Sequence, residues 1–290
     1  MDSTLIVCRF VHYLASLLLF GLTLFQAVLA PVPLANSVNG QFRRYAFALS
    51  TTAAVSSVVW LALTSVSMAD GWSTGLAPDI VFQTAFGQVW QWHMALSVVS
   101  VALIAWPSTR QPNRWWIVAA AISGLQIITL GLVGHAVMQS GLSGILSRAS
   151  QAAHLLAAGY WIGTLVPVAM CARSIDDLLS RDRGVALRRF SAIGQVVVIL
   201  VVGTGFLNMT LIEDHLTLDP SHPYQMMLDI KIVIVGLMAA MALANRYWFV
   251  PKLAGNAAVV ETIRRIILLV AALGIGVIGL ASVIGTLSPT

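Results

Sequence analysis

Charge is what this chain has least of. Only 9% of its 290 residues are Asp, Glu, Lys or Arg, against 58% that are hydrophobic, whereas a soluble domain carries roughly a quarter charged residues. Water is therefore excluded as its main solvent. Cysteine is nearly absent too. Cys8 and Cys171 lie near opposite ends of different apolar runs with no CxxC spacing, so a structural disulfide is not expected. There is no Walker lysine loop, no DKTGT-type phosphorylation sequence and no cytoplasmic CxxC domain, which excludes an ATP-driven pump. No repeat or low-complexity tract divides the chain, and its longest connection, Arg173 to Arg189, has about 17 residues. A single membrane domain over residues 1–290 follows.

What the chain has in abundance is apolar runs. They read as Leu5–Ala30, Ala46–Ala69, Thr84–Trp106, Trp115–Met138, Ala149–Ala172, Phe190–Ile212, Met226–Phe249 and Ile263–Leu287, each close to the ~20 residues that cross a hydrocarbon core. Lipid offers no partner for backbone N–H and C=O groups, so such runs must be helices. The expected fold is an all-α polytopic transmembrane bundle of about eight spans. The first run lacks a basic n-region, having Asp2 where a cleavable signal would carry Lys or Arg, and reads as a retained span.

Lys and Arg set the expected orientation. Thirteen of the 16 lie in alternate connections: Arg43 and Arg44; Arg110 and Arg114; Arg173, Arg181, Arg183, Arg188 and Arg189; Arg246, Lys252, Arg264 and Arg265. The opposite connections hold Asp70, Asp79, Glu213, Asp214 and Asp219, with Arg148 as their one basic residue. By the positive-inside rule both termini face outward, in bacteria the periplasm, and the chain sits in the inner membrane. The net charge of +5 then reports topology, not a nucleic-acid partner.

With that orientation all six histidines fall in the outer half. His12 and His93 lie early in spans 1 and 3, His135 late in span 4, His154 early in span 5, and His215 and His222 between spans 6 and 7. Methionine leans the same way. Imidazole with thioether suits copper, because soft sulfur selects Cu(I) while imidazole accepts Cu(I) or Cu(II). Cys8 and His12 share a face of span 1; Gly131, His135 and Met138 share one of span 4, where Gly131 and Gly134 would admit a close neighbour. His135 and His154 end adjoining spans joined by about ten residues, so the expected site is His135, Met138 and His154 with His12 or His93. Plainer explanations exist: an intramembrane His can simply hydrogen-bond to a neighbouring helix, and Met fills irregular cores. Trp72, Trp90, Trp92, Trp115 and Trp116 read as an aromatic belt.

Two cations lie at or inside spans. Arg9 is one turn from His12, and Lys231 follows Asp229 within span 7; a lone ammonium in hydrocarbon is costly, so Lys231 is expected to pair with Asp229, Glu213 or Asp214 or to face a wet cavity. Met227, Lys231, Met238 and Met241 share roughly one face of that span with Asn245. The stripe reads as a relay for a soft metal or as an ordinary packed face.

HLLAAGYWIGTLVPV from His154, RRFSAIGQVVVILVVGTGF, the Lys231 segment DIKIVIVGLMAAMALANRYWFVPKL and the closing LSPT together resemble the copper resistance protein D (CopD) family. The most specific element is Trp161, Gly163, Leu165 and Pro167. The resemblance is close over 150–290 and extends to the first half by span number and length. It implies a bacterial inner-membrane protein that works with a small periplasmic copper-binding protein of the CopC type and moves copper inward; it does not itself make His12, His93 or His135 ligands. The reading is thus a non-enzymatic copper handler. Two alternatives remain: a membrane b-type cytochrome with bis-His haem ligation, and a regulatory protein that binds copper without moving it.

The orientation makes a direct prediction. Reporter fusions after Arg44, Arg183 and Lys252 should report cytoplasm and fusions after Asp79 and Asp219 periplasm; a cytoplasmic signal at Asp219 would invert the histidine layer.

Overall fold

The computed structural model of the protein describes residues 2–68, 76–106, 112–134, 141–171, 180–212, 222–252 and 257–287. Among these residues there are helices and no strands: α1 (Asp2–Leu24), α2 (Val32–Met68), α3 (Leu76–Gln83), α4 (Ala85–Ala105), α5 (Pro112–Gly131), α6 (Gly141–Cys171), α7 (Ser180–Ile212), α8 (Pro223–Ala244) and α9 (Ala257–Ile284). All but the short α3 are long and apolar enough to cross a membrane, which makes eight spans among the described residues. The all-α membrane fold is as expected.

Boundaries differ from the hydropathy reading: α5 closes at Gly131, short of the expected Met138, where Gly134 takes a positive φ, and several helices start early. α2 begins at Val32 and not Ala46, α6 at Gly141 and not Ala149, and α7 at Ser180 and not Phe190. Hydropathy marks the buried stretch, whereas a helix keeps its intrahelical bonds for as long as nothing breaks it. The breaker between α1 and α2 is Pro31. It holds Ala30 extended, at φ −74° and ψ 127°, after α1 has widened into a π turn over Phe25–Leu29.

α1 is the hub. It packs on α2, α5, α6 and α9, while α4 is held by α2 and α5, α7 by α6, and α8 chiefly by α9. The closest crossing is α1 on α6. A Cβ on Gly21 would run into the Gly163 and Thr164 backbone, and one on Gly163 into the Leu17 carbonyl and the Gly21 backbone, so glycine is required for steric reasons on both helices. Around this crossing Leu17, Phe20, Trp161, Ile162, Leu165 and Val168 form the core. Gly131 serves a similar end between α5 and α6, where a Cβ would lie 2.8 Å from Ala152 Cα. Gly134 does not: it has open space around it and φ +86°, a turn residue and not a packing one.

The two ends of the bundle have different chemistry. At one, Arg9 of α1 donates to the Gly285 carbonyl just past α9, which puts the first turn of α1 beside the close of α9. At the other, Arg43 donates to the Ile104 and Ala105 carbonyls at 3.1 and 2.8 Å, and Arg189 to Val28 and Leu29 at 3.3 and 3.4 Å. Both cover helix C-termini, where orphan carbonyls and the dipole favour a cation.

Replacing Gly163 by Val should open the α1–α6 crossing and cost about 1–3 kcal/mol or more, the usual penalty for overpacking. Gly236→Val, where a side chain would meet nothing within 4 Å, is the control. Thermal unfolding in detergent should show the first falling by several degrees and the second unchanged.

Candidate metal centre

His12 on α1 and His93 on α4 are both 0% exposed, and their ring centroids stand 4.9 Å apart. Each is anchored by a hydroxyl on a different helix: His12 Nδ1 lies 2.9 Å from Ser56 Oγ of α2, and His93 Nδ1 lies 2.7 Å from Thr129 Oγ1 of α5. The hydroxyl protons are already committed. Ser56 Oγ donates to Thr52 O at 2.6 Å and Thr129 Oγ1 to Gln126 O at 2.7 Å. Each hydroxyl must therefore accept from its histidine, which places the proton on Nδ1 and leaves Nε2 a bare lone pair. Both Nε2 atoms are buried and, among the described residues, have no hydrogen-bond partner. A buried polar atom without a partner is destabilising, and here there are two on neighbouring rings.

That pattern is the one a metal site uses, with the second nitrogen of each imidazole tied so that the first is presented as a ligand. Indoles wall it. Trp90 stacks on His93 at 4.8 Å, Trp60 meets His12 edge-on at 5.5 Å, and the two indoles are 4.8 Å apart. Trp90 is itself fixed by a 2.9 Å bond from Nε1 to the Ser57 carbonyl. Of the aromatic belt expected from sequence, Trp92 is exposed, whereas Trp90 and Trp116 are buried, the latter bonded to Asn39 Oδ1 at 2.9 Å. Sulfur lies near. Cys8 and Met94 pack with Trp60, Trp90 and Leu130, and the Cys8 thiol lies 3.5 Å from the Ser56 carbonyl.

The remaining expected ligands lie elsewhere. His154 turns toward α7, where its Nδ1 is 3.0 Å from Thr204 Oγ1; Thr204 in turn donates to the Leu200 carbonyl, so the same tautomer results. Neighbouring side chains extend this polar face, with Asn208 Nδ2 donating to Gln151 Oε1 at 2.7 Å. His135 and Met138 lie outside the described residues. Among those described, no group of three or more His, Cys, Asp or Glu gathers to hold a metal.

The α8 stripe faces inward: Met238 is buried, Met241 packs with it in the main core, and Met227 packs with Tyr224, Leu228 and Ile284. No Lys231–Asp229 ion pair forms among the described residues, because side chains two apart on a helix do not face one another; Asp229 Oδ1 accepts from Gln225 Nε2 at 3.0 Å. Sequence reasoning found the histidines but not Ser56, Thr129 and Thr204. The available signal was a hydroxyl on a neighbouring span at matching depth.

Haem does not fit between His12 and His93. Trans ligation with metal–nitrogen bonds of ~2 Å needs ring centroids roughly 6 Å apart and an open slab for the macrocycle, whereas these rings are 4.9 Å apart and indoles lie against them. A centroid separation of 4.9 Å is the one that two imidazoles sharing a single ion at a near-tetrahedral angle would have, given metal–nitrogen bonds of ~2 Å.

Residues 1–145 match the family described as Copper resistance protein D-like, N-terminal domain, and residues 184–284 the family described as Copper resistance protein D. The chain is 31% identical over 253 residues, 86% of each protein, to Inner membrane protein YebZ of Escherichia coli (strain K12). It is 28% identical over 305 residues to Copper resistance protein D of Pseudomonas syringae pv. tomato, covering 99% of this chain and 97% of that one. No solved structure matches it.

Thr129→Val keeps shape but removes the acceptor that holds the His93 tautomer, and should weaken metal binding roughly 10–100-fold. Thr210→Val, whose exposed hydroxyl bonds only its own helix at Leu207, should leave it unchanged. Competition titration of both purified variants measures the difference.

Proposed function

This chain belongs to the copper resistance protein D family, and we propose that it accepts copper at the end of the bundle where α1 starts and α9 closes, using His12 and His93 as ligands. It is a multi-pass inner-membrane protein of copper resistance. The observation that carries the site is the pair of buried, partnerless Nε2 lone pairs on rings 4.9 Å apart. The orientation read from the basic residues puts this end on the periplasmic side, where a CopC-type carrier would deliver its ion. Transport inward is then the direction proposed, by gradient or facilitation and without enzymatic chemistry. His154, with its own tethering hydroxyl, is a second candidate station in the other half of the bundle. The described part of the α8 stripe supports packing more than a relay, since Met238 and Met241 lie among core residues of the bundle.

Purified wild-type protein should take up copper in a stoichiometry that drops by one ion in both His12→Ala and His93→Ala, with the helical spectrum intact, and should show no Soret band. Retention of full stoichiometry in both variants would sink the site. Cells carrying either variant should also lose the copper-dependent growth difference that separates wild type from deletion.

A further inference from the structure

The site has an oxidation state built into it. Resting on the reading of His12 and His93 as copper ligands, we infer that their site is selective for a soft monovalent d10 ion, Cu(I), over Cu(II) and other divalent cations, and that Arg9 contributes the discrimination by charge.

Two features argue for this independently. The first is coordination number. Two neutral imidazoles face one another, and no third His, Cys, Asp or Glu joins them among the described residues. Zn(II) wants four ligands and Cu(II) a tetragonal set. A d10 monovalent ion is content with two or three, a third place being open to a neutral ligand.

The second is charge. α2, α4 and α5 contain no Asp or Glu, and α1 has only Asp2, roughly three turns before His12. The nearest acidic residue by element is Asp79 of α3, which packs on α4 and α2, so the four helices that supply the site's walls bring no carboxylate of their own beyond Asp2. A positive group stands there instead. The Arg9 guanidinium carbon is 5.0 Å from the Trp60 ring centroid, and that same indole is 5.5 Å from His12. Arg9 is held in place by the Gly285 carbonyl and by Tyr13 Oη, 3.4 Å from Nη2. With a cation at ~10 Å and an effective dielectric of ~20, each added unit of positive charge on the bound ion lowers affinity roughly tenfold. A dication bears that penalty twice, at a site to which the described residues bring two imidazole nitrogens.

Redox-inert ions separate charge from copper chemistry. The protein in lipid nanodiscs would be titrated with Ag(I), a soft d10 monocation, and with Zn(II), an imidazole-binding dication. Wild type should bind one Ag(I) at least 100-fold more tightly than Zn(II), and anaerobic Cu(I) should displace that Ag(I). Arg9→Gln should narrow the gap by roughly tenfold through tighter Zn(II), while Arg9→Lys keeps it. Zn(II) or Cu(II) binding as tight as Ag(I) and lost in His12→Ala would overturn the selectivity while leaving the copper site standing. Ag(I) binding that survives both His12→Ala and His93→Ala would overturn the site itself. An unchanged gap in Arg9→Gln would remove Arg9 from the account, and if that variant fails to fold the wild-type Ag(I)–Zn(II) comparison still decides the selectivity.

Discussion

The close passage of α1 over α6 is the constraint on which the rest depends. Gly21 and Gly163 let the two backbones meet, and because lipid tails are as apolar as leucine, such van der Waals contact is what holds membrane helices together. α1 then has α2, α5, α6 and α9 around it, and its inner face can be spent on polar groups. Along that face His12, Ser16, Thr23 and Gln26 are all buried. Thr23 shares a 3.0 Å bond with Ser123 of α5. A helix surrounded by protein can carry an imidazole at membrane depth; a lipid-facing helix such as α8, which packs chiefly on α9, cannot do so cheaply.

Given burial, the histidines need an orienting partner, and the chain uses one device three times. A Ser or Thr on the neighbouring helix gives its proton to its own helix backbone and accepts one from Nδ1. The arrangement satisfies one ring nitrogen, fixes the tautomer and prevents rotation of the ring. What it leaves over is Nε2. For His12 and His93 that atom is buried and has no partner among the described residues, which is the feature the proposed ligand role rests on.

The expected spans were legible because lipid imposes length and apolarity together, and all eight have a counterpart among the described helices. Helix starts were not. Residues 32–45 of α2 are amphiphilic enough to leave the hydrophobic window, yet nothing there interrupts the helical bonds until Pro31. At the site, His12 and His93 were recognised as candidates, but their partnership was not. Span 3 follows span 1 by some 80 residues, and chain proximity pointed instead to His135 and His154. What joins His12 to His93 is the mutual packing of four helices, α1, α2, α4 and α5, a matter of which helices neighbour which, and periodicity along one helix carries no information about that. Trp90 went into the belt for the same reason: being near a span end says nothing about which way the indole turns.

The basic residues have two causes, and separating them sharpens the orientation. Arg43 and Arg189 cover the exposed carbonyls at the ends of α4 and of the π turn after α1. At that face the C-terminal ends of α1 and α4 attract a cation locally whichever compartment they meet, although α2, α5, α7 and α9 start there and bring dipoles of the opposite sense. Those two arginines are therefore weak witnesses to sidedness. Others are not used in this way: Arg265 bonds Glu261 at 3.0 Å and Arg264 the same carboxylate at 3.4 Å, near the start of α9 and not at a C-terminus. A cation near a helix start gains nothing from the dipole and loses a little by it. Its presence on the same face as Arg43 and Arg189 needs the membrane's own asymmetry to explain it. That leaves the proposed orientation, with the imidazole pair on the side opposite the cytoplasm, resting on the residues which helix capping cannot account for.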